Sequence, residues 1–299
     1  MAGPTVSGTA LVGESTVWSS RILEYLDKAF VYVNAFTNRD YEGEARKGGT
    51  VKIFRINAIT VEDHDGAWDD TDWDDLGQTE VEFQIDQEKR FMFKVPLVRE
   101  NFNVLNLIEQ GSQRAAVAIG DTIDQYIAGK YTQIAAGNAY GTTGSPITIG
   151  FGSGEVKPTI ALARLRELIV TAKAPTQNNR IVVPEWFGTM LDIELGGRLT
   201  QLGDRVTTGD MLVRPGYMGS VAGFDIYVSP NVPNTTSTKY KVMAGAPMIT
   251  MASAIDLVKT VDLQNDFGYG VKGLFVYGAK LLDTNAMALG TFNKGAYTA

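Results

Sequence analysis

From Glu80 to Leu97 the chain alternates: Val81, Phe83, Ile85, Phe91, Phe93, Val95 and Leu97 fall on odd positions, while Glu80, Glu82, Gln84, Asp86 and Glu88 fall on even ones. That is the period of a half-buried strand, apolar on one face and wet on the other. The run Thr50–Val61 (TVKIFRINAITV) is its expected partner, joined to it by residues 62–75. Together they predict a long two-stranded ribbon. After Asn103 the period changes, and Ile108, Ala115, Ile119, Ile123, Ile127, Tyr131 and Ile134 recur at steps of three, four or seven as far as Gly137. This spacing lines them along one side of an α-helix. A helix of about 35 residues would be about 50 Å long, a beam running along the molecule. Gln113, Arg114, Asp121, Asp124, Gln125 and Lys130 occupy the rest of its surface, which predicts one packed side and one wet side. Gly111, Gly120 and Gly129 lie inside it; they are either tolerated or serve bending and the close approach of a neighbour.

Before the ribbon, residues 16–30 form a short helix candidate with Val17, Ile22, Leu23, Leu26 and Phe30 on one face, an arm that packs on something else. After the long helix, residues 137–154 read as a Gly/Ser/Thr-rich connector. Pro158–Lys173 is a helix with proline at its start and Ile160, Leu162, Leu165, Leu168 and Ile169 as its buried residues. Asn179–Pro184 reads as a buried strand, Glu185–Leu195 as a helix and Gly196–Asp210 as a mobile loop. Further strands are expected at Gly223–Pro230, Lys241–Ala246, Ile255–Asp262 and Gly270–Leu282. An isolated two-stranded ribbon is marginal in water because nothing covers its apolar face. Its length favours projection onto a partner surface.

Charge sharpens this picture. The 299 residues carry a formal charge of -7, and Glu62, Asp63, Asp65, Asp69, Asp70, Asp72, Asp74 and Asp75 lie within the ribbon's joining segment with no Lys or Arg among them. Without these eight, the remaining acids and bases nearly cancel. Like charges so crowded repel one another, and a basic patch on a neighbouring subunit would relieve them. Trp68 and Trp73 in the same segment support a contact role, since indoles on a solvated tip waste apolar surface. Asp70, Asp72 and Asp74 have the alternating spacing of calcium loops, but Asp75 and Val81 stand where an EF-hand needs glycine and glutamate.

His64 is the single histidine and lies in this same segment, a poor place for a catalytic triad. With no cysteine there is no disulfide or thiolate nucleophile. Gly150, Gly152 and Gly154 lack the lysine of a phosphate-binding loop and read as a flexible connector. Asn234-Thr235-Thr236 matches a glycosylation acceptor by chance. No basic tail or arginine cluster suggests a tight grip on nucleic acid. No catalytic residue, cofactor or metal site is assigned.

The order of parts is arm, ribbon, long helix, mixed α/β block and closing strands. That order resembles the major capsid proteins of tailed bacteriophages, the Hong Kong 97-type family with its α+β fold. The resemblance is carried by the ribbon, the helix Asn103–Gly137 in the place of that family's spine helix, and the tail from Lys241 to Gly290 with its NDFGYGVKG and LFVYGAKLL stretches. It implies an N-terminal arm over 1–47, an extended β-hairpin loop over 48–98 and a peripheral domain over 99–157 and 254–299. The axial domain would be 158–253. Inter-subunit contacts would then come from the eight acids, Trp68, Trp73, Phe83, Phe91 and Phe93, with Gly48 and Gly49 as hinges.

The expected function is structural: pentamers and hexamers of this chain closing an icosahedral head around double-stranded DNA, assembled in the bacterial host cytoplasm. Expected partners are copies of itself, a separate scaffolding protein because only about 45 residues precede the ribbon, a portal and a decoration protein. Packaged DNA would lie nearby without specific binding, and no membrane is involved. An encapsulin-like compartment is the alternative within the fold. A cation-dependent carbohydrate-binding or hydrolytic protein using the acidic cluster is the alternative outside it.

Overall fold

The computed structural model describes residues 30–39, 50–56, 59, 77–96, 107–195, 216–236, 238–263 and 268–297. Phe30 is therefore the only described residue of the expected arm helix, and Gly48, Gly49, the acidic segment Glu62–Asp75 with His64, Trp68 and Trp73, and the loop Gly196–Asp210 lie outside the described residues.

Two sheets organise the body. The larger follows the strand order β5-β14-β11-β7-β9-β8, with β6 on β14 and β10 on β11. Its strands are β5 (Ala139–Tyr140), β6 (Ile147–Ile149), β7 (Arg180–Val183), β8 (Tyr217–Val221), β9 (Phe224–Val228), β10 (Asn234–Thr235), β11 (Lys239–Gly245) and β14 (Met287–Lys294). The central strands read as continuous apolar runs because they are covered on both faces: Ile181, Val182, Val183, Val242, Met243 and Ala244 are all fully buried. Helices α3 (Pro158–Thr171) and α4 (Glu185–Glu194) pack against each other, and α3 also covers β14. Lys157 gives α3 no side-chain cap, and Glu194 of α4 supplies one, accepting from the Thr159 amide at 2.9 Å and its hydroxyl at 2.6 Å. Leu162, Leu165 and Ile169 face the core as the spacing predicts, with Pro158 and Ala161 beside them, whereas Ile160 points away from that face and is half exposed.

The smaller sheet has the order β1-β12-β13-β4, with β1 (Thr37–Asn38), β4 (Gln87–Pro96), β12 (Ile249–Asp262) and β13 (Gly268–Leu281). Strands β12 and β13 form a hairpin of 14 residues a side, longer than expected for its first strand. One feature corrects the ribbon. Its second run divides after Gln84, and residues 87–96 leave their ribbon partner to pair with β13, Gln87 opposite Tyr277 and Phe93 opposite Val271. The alternation is continuous through both halves because each half is a strand with one covered face.

The long helix α2 is described over Leu107–Ala128 and ends nine residues before the expected Gly137. At Gly129 it tightens into a 3-10 turn to Gln133, and Ile134 is extended. Glycine is a poor helix former, and the Ala135 amide finds its acceptor at Thr284 O, 2.9 Å away, outside any helix. Two glycines of the run differ in use. A Cβ at Gly111 would meet the Phe93 ring at 2.8 Å, so this glycine is the seat of an aromatic ring; one at Gly129 would meet nothing.

The glycine-rich stretch also differs from the expected connector. The Glu155 carboxylate accepts from the amides of Gly152 at 2.8 Å and Ala296 at 3.0 Å. A Cβ at Gly295 would collide with that carboxylate, and so would one at Gly150. The glycines cradle the chain's own acid.

Candidate assembly interface

Strands β2 (Thr50–Ile56) and β3 (Gln78–Gln84) pair antiparallel from Thr50↔Gln84 at the base to Ile56↔Gln78 at the tip, a separate two-stranded sheet. Alternation sends Ile53 and Phe83 to one face, where they form a small cluster with Ala252 and are flanked by Ile85 and Leu282. On the other face Phe54 is 59% exposed, and Lys52 pairs with Glu80 and, at 3.8 Å, with Glu82. The bond to Glu80 raises the Lys52 ammonium above its ordinary range. Among the described residues the ribbon is thus held at its base, with its Lys52–Phe54 face open.

The base is clamped to the body at Asp86. Its carboxylate accepts from the Tyr126 hydroxyl at 2.8 Å, and Lys130 donates to that same hydroxyl at 2.9 Å. Burial, then the bond to Asp86, raises the Tyr126 hydroxyl well above its usual value. Tyr277, edge-on to Tyr126 at 5.3 Å, is pushed up to about 12 by burial and by the charge of Asp86. A side chain at Gly278 would strike Ile85 Cα at 2.8 Å, so glycine lets the ribbon base lie directly on β13.

Sequence reasoning missed the lock on the other extension. Asp124, expected on the wet side of the long helix, is 1% exposed. Its carboxylate accepts from the amides of Val31 (2.9 Å), Tyr32 (3.1 Å) and Val33 (3.2 Å), the open first turn of α1 (Tyr32–Phe36). Burial raises its pKa to about 6 against the pull of those amides. Arg180 holds the far end, donating to the carbonyls of Asn34 at 2.7 Å and Ala35 at 3.2 Å. Beyond it Thr37 and Asn38 lie parallel to β12. The available signal was a row of small residues, Ala116, Gly120 and Ala128, spaced so that Asp124 falls within their line.

Of the residues expected to meet a neighbouring subunit, Phe83 is fully buried within its own chain. Phe91 and Phe93 are half-buried on the smaller sheet, with Phe91 6.3 Å from Phe275 and 6.4 Å from Phe93. These rings are covered from within because β4 turned onto the body. The remaining expected contacts lie outside the described residues.

A family model described as "Phage capsid protein" matches residues 79–289, the span from the ribbon's second strand to the last strand of the larger sheet. The chain belongs to this family. Among solved structures, it is similar to a chain titled "Mycobacterium phage Che8", 26% identical, covering 88% of this chain and 91% of that one with a TM-score of 0.63. "Capsid of Ralstonia phage GP4" aligns at 11% identity over 89% and 90% with a TM-score of 0.69. "Crystal structure of virus-like particle from Pyrococcus furiosus" aligns at 12% over 93% and 99% with a TM-score of 0.55. A comparison with curated proteins gives no match. The fold is the Hong Kong 97-type α+β fold, and the role of the chain is structural: copies of it assemble into the icosahedral capsid of a bacteriophage, which is where it resides.

Proposed function

We propose that the chain assembles through its ribbon, arm and axial domain as pentamers and hexamers that close a head around double-stranded DNA. The division into arm (1–47), extended loop (48–98), peripheral domain (99–157 and 254–299) and axial domain (158–253) describes its working parts, with Gly48 and Gly49 as hinges. Assembly takes place in the host cytoplasm with a separate scaffolding protein, a portal and a decoration protein. One observation carries this reading: a two-stranded ribbon whose base is buried on its own body and whose outer face, with Phe54 59% exposed, has no second layer among the described residues. The acidic residues with Trp68 and Trp73 would make contact with the next subunit from its tip.

Deletion of Glu62–Asp75 tests it. Soluble, folded chains that fail to close shells, or close fragile ones, are expected by electron microscopy and sedimentation. Normal, stable particles would remove the loop from assembly.

A further inference from the structure

A cavity of about 400 Å³ opens where the start of α4 meets the ends of β9 and β14, walled by Pro184, Trp186, Pro230, Tyr240, Lys294 and Tyr297. Trp186, in the first turn of α4, lies with its ring 5.4 Å from that of Tyr240. It is only 8% exposed, and its indole Nε1 is buried with no acceptor among the described residues. A buried donor without a partner is costly, and native proteins keep few of them. Lys294 stands 4.7 Å over the Tyr297 ring, and Tyr297 is itself 38% exposed. Exposed Glu185 also lines the cavity. Neither Lys294 nor Glu185 belongs to an ion pair among the described residues. The lining is therefore aromatic and prolyl, neutral overall, and short of one hydrogen-bond acceptor.

We propose that in the unassembled subunit this cavity holds the segment around Pro4 of the same chain, extended, with the pyrrolidine ring against the aromatic walls and a backbone carbonyl accepting from the Trp186 indole. The assembly reading assigns no such contact, and the inference goes beyond it. An extended proline peptide suits these walls because its carbonyls have no internal partner and its ring is flat and apolar. Residues 1–13 (MAGPTVSGTALVG) carry no charged side chain, which matches a neutral lining, whereas the segment with eight acids does not. Pro4 fixes its own φ and biases the residue before it toward extended backbone, and β-branched Thr5 and Val6 favour its continuation.

The chain is tethered close to this cavity. The Val31 amide donates to Asp124 at 2.9 Å and the Asn231 side chain to Asp121 at 2.6 Å, so the first described residues and the neighbour of Pro230 hang on adjacent turns of α2. Pro4 is 26 residues from Phe30. If residues 16–30 are helical, as their spacing predicts, they carry the chain about 22 Å away, and residues 4–15 reach back about 40 Å. Tethering also chooses the copy. A segment on a short flexible lead meets the cavity at an effective concentration of about millimolar, above that of a second free subunit.

The test follows the Trp186 indole signal by nitrogen-15 NMR in unassembled full-length chains, with Trp186→Phe identifying it. Deleting Ala2–Ser7 should shift that signal and speed exchange of its proton with water at least tenfold, with the circular dichroism of the parent retained. Pro4→Ala should move the signal the same way by a smaller amount. Added peptide Met-Ala-Gly-Pro-Thr-Val-Ser should return the signal in the shortened chain, and the same peptide with Pro4→Ala should need at least tenfold more. A signal indifferent to both the deletion and Pro4→Ala overturns the proposal, as does equal binding of the two peptides. A benzophenone side chain in place of Thr189, which is exposed and lines the cavity, should link to residues 1–13 of its own chain in a mixture of light and heavy isotope subunits. Links between light and heavy chains would give the cavity to a second copy and overturn the proposal too. All these readouts precede assembly, so the shell-forming role stands whichever way they fall.

Discussion

The segment Val31–Asn38 and the ribbon strands Thr50–Ile56 and Gln78–Gln84 are attached to the body in opposite ways. The first is fastened at both ends, by the Asp124 carboxylate on its opening amides and by Arg180 on its closing carbonyls, with Tyr32 and Phe36 fully buried between them. The second is fastened, among the described residues, at its base, by Ile53 and Phe83 and the Asp86–Tyr126 bond. A doubly anchored segment opens only with the fold, whereas a singly anchored one can swing about its base. The contrast suits a shell protein, in which identical chains fill unequal surroundings: one extension sets the subunit's shape and the other adapts to its neighbour.

The largest way to break the contrast is Asp124→Ala. Buried amides left without an acceptor cost about 3 kcal/mol in all, after local fraying lets in some water. Chemical denaturation should show that loss, and proteases should gain access to residues 31–38 while the ribbon's exchange is unchanged. Phe83→Ala attacks the other anchor. Emptying a fully buried aromatic site in a small cluster should cost about 3 kcal/mol, the low end for such a change, read as faster hydrogen exchange in β2 and β3 with α1 still protected.

A pH series sharpens the comparison further. Asp124 has a folded pKa near 6, raised above its unfolded value by burial, so its contribution is fully present below the unfolded pKa and is lost as pH rises through the folded one. Between about pH 7 and about pH 5 the arm should gain about 1 kcal/mol of protection. Asp124→Asn should abolish that dependence; protection that falls on acidification would show the amides outweighing burial. The smallest effect belongs to Lys52→Ala. That exposed pair with Glu80 should leave the melting temperature unchanged, because solvent screens it.

Most of the fold was legible because periods of two and of three to four residues are written directly by burial. The helices from Pro158 and Glu185 and the strands at Arg180, Phe224 and Lys239 follow the apolar pattern within a few residues. Pairing was less legible. Nothing in the odd-position run marks the point after Gln84 where it changes partner, since Phe83 and Phe93 alternate alike while packing on different elements. The long helix was overextended because Tyr131 and Ile134 keep helical spacing after the backbone has left the helix at Gly129. Asp124 was hidden for a different reason. An acid on a helix is normally wet, and only the chain returning from far away in sequence supplies the amides that bury it.

That distance sets an order of events during synthesis. Val31 meets Asp124 93 positions later, Asn34 meets Arg180 146 positions later, and Asn38 meets Thr250 212 positions later. A growing chain emerging from its amino end cannot complete this fastening until most of it has left the ribosome. The ribbon's strands lie close in sequence and can pair early, but its base, packed on Ala252, waits as long. A nascent subunit therefore carries both segments unfastened until late, and whatever shields them in the interval guards the chain against premature association.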